Sequence, residues 1–307
     1  MPKPPFAVPD GLLAQAGLGD DWRTWLDALP GRAGEVIEDW QLRVDGEPTH
    51  GFCSLVVPVR TTAGTPAVLK VAFPDDESEH EPLALQHWRG RGAVQLLRAD
   101  PHRRAMLLER LHREDLTGVG ELEACEVVAG LYPRLHVPAP PRLRTLTSYI
   151  ERWSADLAQL PRDAPLPRRL VEQALALGRG LVADPASNGT MIHSDLHYEN
   201  VLAGDREPWL VIDPKPVSGD PHYEVAPLLW NRWPEVVRSG DARAAVRRRF
   251  HTVVDAAGMD EDRARDWVIV REVHNVMWAL QDAARGGAPL DRDWVTLSVT
   301  IAKAVQE

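Results

Sequence analysis

Cysteine is almost absent from this chain: Cys53 and Cys125 are the only two among 307 residues. Two thiols cannot build a disulfide framework, and their spacing matches no zinc motif, so a reducing compartment is the expected setting. Long apolar runs are missing too. No stretch approaches the roughly 18–20 residues that a membrane helix needs, and the opening MPKPPFAVPDG has no basic segment followed by an apolar one. No membrane partner and a cytoplasmic location are expected. Positive charge is in deficit, with a formal net charge of -10 at pH 7. Such a surface repels nucleic-acid phosphates. The one dense basic run, Arg247-Arg248-Arg249, sits in a helical pattern beside Asp241 and Asp255, where a solvated helix face accounts for it. No nucleic-acid partner is expected, and net acidity suits a cationic small molecule. Lysine is scarcest of all. Of 35 Lys and Arg residues only Lys3, Lys70, Lys215 and Lys303 are lysines. Two lie near the ends, so Lys70 and Lys215 stand out as positions where a compact ammonium is wanted in place of a planar fork.

What is present is an ordinary globular mixture, 44% apolar and 26% charged, long enough to bury two cores. Residues 1–35 read as one or two short helices. Alternating and β-branched residues at Trp40 to Val44, Phe52 to Arg60 and Ala67 to Phe73 predict strands, the first two joined by the turn Asp45 to Gly51. A helix from about Glu77 to Arg89 follows, then short strands at Val94 to Leu97 and Ala105 to Leu108. Beyond Leu111 the pattern turns helical. Helices are expected from about Glu121 to His136, Leu146 to Leu160 and Leu166 to Ala183, with Val137-Pro138-Ala139-Pro140-Pro141 as a stiff spacer. Met191 to Asn200 reads as a loop, Val201 to Ala203 and Trp209 to Ile212 as a hairpin, and the rest from Tyr223 as helix. The fold class is α+β: residues 1–110 as an antiparallel five-stranded sheet with one helix, and residues 111–307 as a mostly helical lobe.

The segment His193-Ser194-Asp195-Leu196-His197-Tyr198-Glu199-Asn200, followed by the hairpin and Ile212-Asp213-Pro214, resembles the catalytic segment of the protein-kinase-like superfamily. Phosphoryl transfer asks for a carboxylate that orients the attacking hydroxyl and takes its proton, and for hard oxygen ligands that hold magnesium on the phosphates. Asp195 suits the first role, Asn200 and Asp213 the second. The resemblance implies a bilobal fold, ATP and Mg2+ as cofactors, and Lys70 as the strand lysine that contacts the α- and β-phosphates. Glu81 is the expected partner of Lys70, with Glu77 and Glu79 as alternatives on the same helix. The connector Leu107 to Leu111, with Glu109 and Leu111, would lie against the adenine edge. No G-x-G-x-x-G pattern covers the phosphates; Gly46 and Gly51 flank a segment containing Pro48 and His50.

Adding Trp209 to Pro216 and Gly219-Asp220-Pro221-His222-Tyr223-Glu224 narrows the likeness to the aminoglycoside phosphotransferases, in the streptomycin kinase and hydroxyurea kinase branch. That resemblance implies inactivation of an antibiotic by O-phosphorylation. A protein substrate is disfavoured on the residues themselves: Ser194 stands where protein kinases carry an arginine, and Glu224 follows Asp213 by only eleven positions. Carboxylates at the cleft mouth would grip a cationic acceptor, and Asp220, Glu224, Glu272 and Asp282 are the candidates. The chain departs from the streptomycin kinases where Trp278 is followed by Ala279-Leu280-Gln281-Asp282, and in the cation Lys215. A related aminoglycoside, a sugar or another small metabolite stays open as acceptor. The competing readings are a metabolic kinase of a sugar, aminosugar or amino alcohol, and a nucleotide-binding pseudokinase. A monomer is expected.

Overall fold

The computed structural model describes residues 6–285 and 289–307; Lys3 and the first residues of the opening segment lie outside them. Residues up to His112 form one compact unit and residues from Arg113 another. None of the described helices is long and apolar enough to cross a membrane.

The first unit opens with α1 (Asp10–Leu13), a short 3-10 turn, and α2 (Asp20–Asp39). In place of one or two short helices, α2 is a single 20-residue helix running through Pro30. An internal proline costs ~3 kcal/mol or more, because a hydrogen bond is lost and the ring crowds the preceding turn. Trp25, Leu26, Leu29 and Val36 recur at helical spacing and are buried. At ~1.5–3 kcal/mol for each large apolar side chain, their burial outweighs the proline.

They pack with Leu55, Val57 and Leu69 from a sheet of β1 (Arg43–Val44), β2 (Thr49–His50), β3 (Ser54–Arg60), β4 (Pro66–Ala72), β5 (Leu96–Asp100) and β6 (Ala105–Glu109). The sheet order is β1-β3-β4-β6-β5, with β2 paired to β3. The five expected strands are all there. The sixth, β2, lies in the segment read as a turn; it is two residues long, too short for alternation to show.

After β4 comes α3 (Glu81–Trp88), four residues shorter at its start than the apolar pattern suggested. The carboxylate of Asp75 accepts from the backbone N–H of Glu77 and Ser78 at 2.8 and 2.7 Å. Those bonds fix a turn there, so Glu77 and Glu79 precede the helix and Glu81 is its first residue.

The second unit contains α4 (Glu121–Leu135), α5 (Leu146–Ala158), α6 (Arg168–Ala183), and later α7 (Ala226–Leu229), α8 (Trp233–Arg238), α9 (Ala242–Ala257), α10 (Glu261–Ala284) and α11 (Arg292–Ala304). One core joins Leu157, Leu170 and Val171 to Val273, Met277 and Val295; another joins Leu146 and Ile150 to Ile192, Tyr223 and Trp267. Between α6 and α7 run four short strands, β8 to β11, and a fifth, β7, lies between α4 and α5. β7 (Val137–Pro138), read as spacer, and β8 (Thr190–Ile192), whose end was read as loop, form a three-stranded sheet with β11 (Val217–Gly219), in the order β11-β8-β7. β9 (Val201–Ala203) and β10 (Trp209–Val211) form the expected hairpin, with Val201 opposite Val211.

Candidate active site

The hairpin decides where the polar residues meet. Its ladder continues one step past Val201 and Val211, where the Ile212 N–H donates to the Asn200 carbonyl at 2.9 Å. Residues 200 and 212 are thus cross-strand neighbours, on the order of 5 Å apart at Cα, and Asp213 is the next residue along. On the other side, the segment after β8 is tied to the same place. His193 is fully buried; its Nε2 faces the Ile212 carbonyl at 2.9 Å and its Nδ1 the Asp195 N–H at 3.3 Å. A neutral ring with its proton on Nε2 satisfies both contacts, and burial lowers its pKa in the direction that keeps it neutral. One imidazole therefore links Asp195 to the strand end that carries Asp213.

Asn200 is buried, and its amide Nδ2 donates to the Asp195 carbonyl at 2.9 Å and to His197 Nε2 at 3.1 Å. With that end occupied, Oδ1 is the end of the amide left for a cation. The half-buried Asp195 side chain has no hydrogen-bond partner among the described residues, as an acid meeting a substrate hydroxyl requires. Asp213 accepts from Lys215 Nζ at 3.1 Å. An amide oxygen and a carboxylate are the hard donors that magnesium takes together with water and phosphate oxygens. Among the described residues no cluster of three or more His, Cys, Asp or Glu side chains forms. Asn200 and Asp213 therefore fit a cation that draws its remaining ligands from a bound phosphate.

Two residues of this framework, Ser194 (φ 62°) and Asp213 (φ 54°), have left-handed backbone. Each costs ~1–3 kcal/mol for a residue with a side chain and persists only where neighbours impose it. The Ser194 N–H donates to Glu224 Oε1 at 2.8 Å, its Oγ donates to the Lys215 carbonyl at 2.5 Å, and the Lys215 N–H donates to the His193 carbonyl at 3.0 Å. These bonds lock 193–195 against 213–215.

In the first unit, Lys70 alternates with Leu69 and Val71 on β4 and so leaves the face that packs on α2. Its Nζ lies 2.7 Å from both carboxylate oxygens of Glu81, and both residues are buried. Of the three acids considered for this pairing, Glu81 makes it. Glu109 ends β6 with its N–H on the Gln95 carbonyl at 3.0 Å and its Oε1 accepting the Gln95 N–H at 2.9 Å. Leu111 is half-buried and makes no backbone hydrogen bond among the described residues.

Of the four acids assigned to a cationic acceptor, three are buried and the fourth is exposed. Asp220 is buried; it accepts from Arg263 Nε at 2.5 Å and Trp267 Nε1 at 2.6 Å and faces His222 Nδ1 at 2.6 Å. Burial opposes its charge, yet the bonds from His222 and Trp267 hold its pKa below the usual value. Glu224 is fully buried on His136 Nε2 at 2.6 Å and the Ser194 N–H. Burial again opposes its charge and the His136 bond overcomes it, so its pKa is lowered. Glu272 is fully buried, where burial pushes its pKa up to about 8 and leaves it protonated at neutral pH. Asp282 is exposed and pairs with Arg285 at 3.0 Å. Glu224 thus holds the Ser194 backbone, with His136 behind it, and Asp220 anchors the segment before it to α10. His136 and Arg263 carry no local signal in the sequence. Each lies tens of positions from its partner, and no local spacing marks such a pair.

Residues 39–283 match the family described as aminoglycoside/hydroxyurea antibiotic resistance kinase. The streptomycin 6-kinase of Streptomyces glaucescens is 40% identical over 301 residues, covering 95% of each chain. The hydroxyurea phosphotransferase of Kitasatospora aureofaciens is 42% identical over 270 residues, covering 85% of this chain and 76% of that one. Among solved structures, a thermostable mutant of an aminoglycoside phosphotransferase, in a ternary complex with ADP and hygromycin B, superposes with a TM-score of 0.61 at 17% identity, over 89% of this chain and 97% of that one. That last likeness shows the protein-kinase-like fold.

Proposed function

The chain belongs to the aminoglycoside/hydroxyurea antibiotic resistance kinase family, and from that premise we propose that it moves the γ-phosphate of ATP onto a hydroxyl of a streptomycin-like aminoglycoside and so inactivates it. It is a phosphotransferase with an alcohol-type acceptor, acting in the cytoplasm where ATP is at hand. The reading rests on one observation above all: the Ile212 to Asn200 backbone bond and the His193 bridge bind Asp195, Asn200 and Asp213 into one short framework.

In the transfer the acceptor O–H gives its proton to the Asp195 carboxylate as its oxygen bonds to the γ-phosphorus. The bond from that phosphorus to the β,γ-bridging oxygen breaks, and ADP leaves with the electron pair. Asn200 Oδ1 and the Asp213 carboxylate would hold Mg2+, which when bound neutralises part of the charge on the phosphate oxygens. Lys70, held by Glu81, takes the α- and β-phosphates, and the backbone near Glu109 and Leu111 takes the adenine edge. Residues 1–110 would thus serve the nucleotide, and residues 111–307 the metal, the base and the acceptor. An intact set of Lys70, Asp195, Asn200 and Asp213 argues against a pseudokinase.

A second acceptor has specific support. The hydroxyurea phosphotransferase is 42% identical over 270 residues, beside 40% over 301 for the streptomycin kinase, and three of the four acids proposed to meet a cation are buried. A small neutral acceptor with an N-hydroxyl suits that arrangement. Purified protein with ATP and Mg2+, assayed for ADP release against streptomycin, other aminoglycosides, hydroxyurea, choline and simple sugars, separates the readings. Turnover with aminoglycosides is expected. Turnover with hydroxyurea alone installs the second reading, and turnover confined to choline or sugars overturns antibiotic inactivation.

A further inference from the structure

Arg249 departs from the solvated face expected for the run Arg247-Arg248-Arg249. Arg248 is exposed, but Arg249 on α9 is fully buried, and a charge taken out of water is tolerated only where it is paired and hydrogen-bonded. Its Nε donates to Glu121 Oε1, at the start of α4, at 2.8 Å. Its Nη1 donates to the carbonyls of Leu229, at 3.3 Å, and Asn231. Those carbonyls belong to the end of α7 and the turn after it, where a helix leaves acceptors without intrahelical partners. The five-donor guanidinium serves all three groups, which a compact ammonium does less well.

The turn held in this way is strained. Arg232, the residue after Asn231, has left-handed backbone at φ 50°, which a residue with a side chain keeps only where its neighbours impose it. Its Nη1 donates to the Val119 carbonyl at 2.6 Å, two residues before Glu121. What the turn presents is Asn231. The amide is buried, and its Nδ2 donates to the Pro227 and Leu228 carbonyls at 2.8 and 3.2 Å, so that Oδ1 is left to accept the Tyr198 N–H at 3.1 Å. Tyr198 opens the 3-10 turn that ends at Asn200. Its hydroxyl donates to the Glu121 carbonyl at 3.1 Å. A ring of contacts closes: Tyr198 to Asn231, Asn231 to Arg249, Arg249 to Glu121, and Glu121 back to Tyr198. The turn that carries Asn200 is gripped at both backbone and side chain.

We propose that Arg249 and Asn231 are positioning residues for the metal ligand Asn200: the buried arginine fixes the strained turn at 229–232, and the asparagine of that turn holds Tyr198, so that Asn200 keeps the orientation a cation needs. The inference rests on the kinase reading and gives a role to a buried charge which that reading leaves unused.

Metal binding and hydrogen exchange test it apart from turnover. Mn2+ is titrated into full-length protein in the presence of a non-hydrolysable ATP analogue and followed by electron paramagnetic resonance, and amide hydrogen exchange is read in the segment containing Tyr198. Asn231→Ala and Arg249→Met should each weaken Mn2+ binding by about tenfold, as expected when the support behind a metal ligand is lost. Exchange at Tyr198 should quicken while the amides of α6 stay as protected as in the wild type, and binding of the nucleotide without metal should not change. Arg249→Lys, which keeps the charge and one compact donor group, should fall between, and Arg248→Ala should match the wild type. If Arg249→Met fails to fold, Asn231→Ala decides, because it leaves Arg249 and Glu121 paired. Folded variants that melt earlier but keep wild-type Mn2+ affinity and Tyr198 exchange, or an equal loss in Arg248→Ala, overturn the inference and leave the kinase reading standing. No Mn2+ on the wild type with nucleotide present overturns both.

Discussion

Glu224 and Glu272 are both fully buried in the second unit, and their acid strengths move in opposite directions. Burial penalises the charge of each. Glu224 receives the Ser194 N–H on one oxygen and His136 on the other, and its pKa ends below the ordinary value. Glu272 has Asn275 at 3.2 Å and, close by on α11, Ser298, neutral groups that lower its pKa less than burial raises it. Its pKa rises to about 8. Two positions along α10, His274 has neither ring nitrogen bonded among the described residues, and burial drives its pKa down to about 3. Partners, and not depth, separate the two acids. The loop that carries Asp195 is built around a charged, saturated carboxylate that holds its strained backbone, whereas the contact between α10 and α11 tolerates neutral polar groups.

Four substitutions sharpen or break that contrast. Asp195→Ala has the largest expected effect: loss of the base should lower kcat by about 10²–10⁴-fold with the melting temperature nearly unchanged, since the carboxylate makes no structural contact. Unchanged turnover would remove Asp195 from the mechanism. Glu224→Ala should cost about 1–3 kcal/mol in a denaturant melt, as expected where buried donors lose their acceptor, and should lower kcat because Ser194 loses its anchor. The pH dependence follows from the lowered pKa: the stabilisation is present above the ordinary carboxylate range and is lost as pH falls through the folded value. A variant as stable as the parent would mean that the loop needs no charged anchor.

Glu272→Gln should act the other way. With a folded pKa of about 8 against an unfolded value of 4.5, the native state holds a proton that the unfolded chain has lost. The wild type therefore loses about 1.4 kcal/mol of stability per pH unit as pH rises between those two values. Glutamine should remove that slope, make the protein more stable than the parent at pH 8, and leave kcat alone. A slope that persists in the variant would show that Glu272 is ionised after all. Smallest of the four, Asp282→Ala should alter melting temperature and kcat/KM for an aminoglycoside by no more than about twofold, as befits an exposed ion pair; a large rise in KM would restore it as an acceptor contact.

What could be read ahead of the structure follows the range of the forces involved. The strands around Lys70, the Glu121 helix and the hairpin after Asn200 are written in local alternation and periodicity, and each is present. The spacing of Asp195, Asn200 and Asp213 was legible because one short hairpin brings the last two side by side. Local pattern misled where tertiary burial overrode it, as in α2 through Pro30, and where an element was too short to carry a pattern, as in β2. The acids were the least legible. Asp220 meets Arg263 and Trp267 from α10, and Glu224 meets His136 from the end of α4. A carboxylate looks the same in sequence whether it will face solvent, a substrate or a buried donor many residues away.

The most direct test of the account is a crystal structure with a non-hydrolysable ATP analogue and Mg2+. An ion is expected about 2.1 Å from Asn200 Oδ1 and from an Asp213 carboxylate oxygen, with the Asp195 carboxylate facing the γ-phosphate. An ion bound without either of those side chains, or Asp195 turned away from the phosphate, would contradict it.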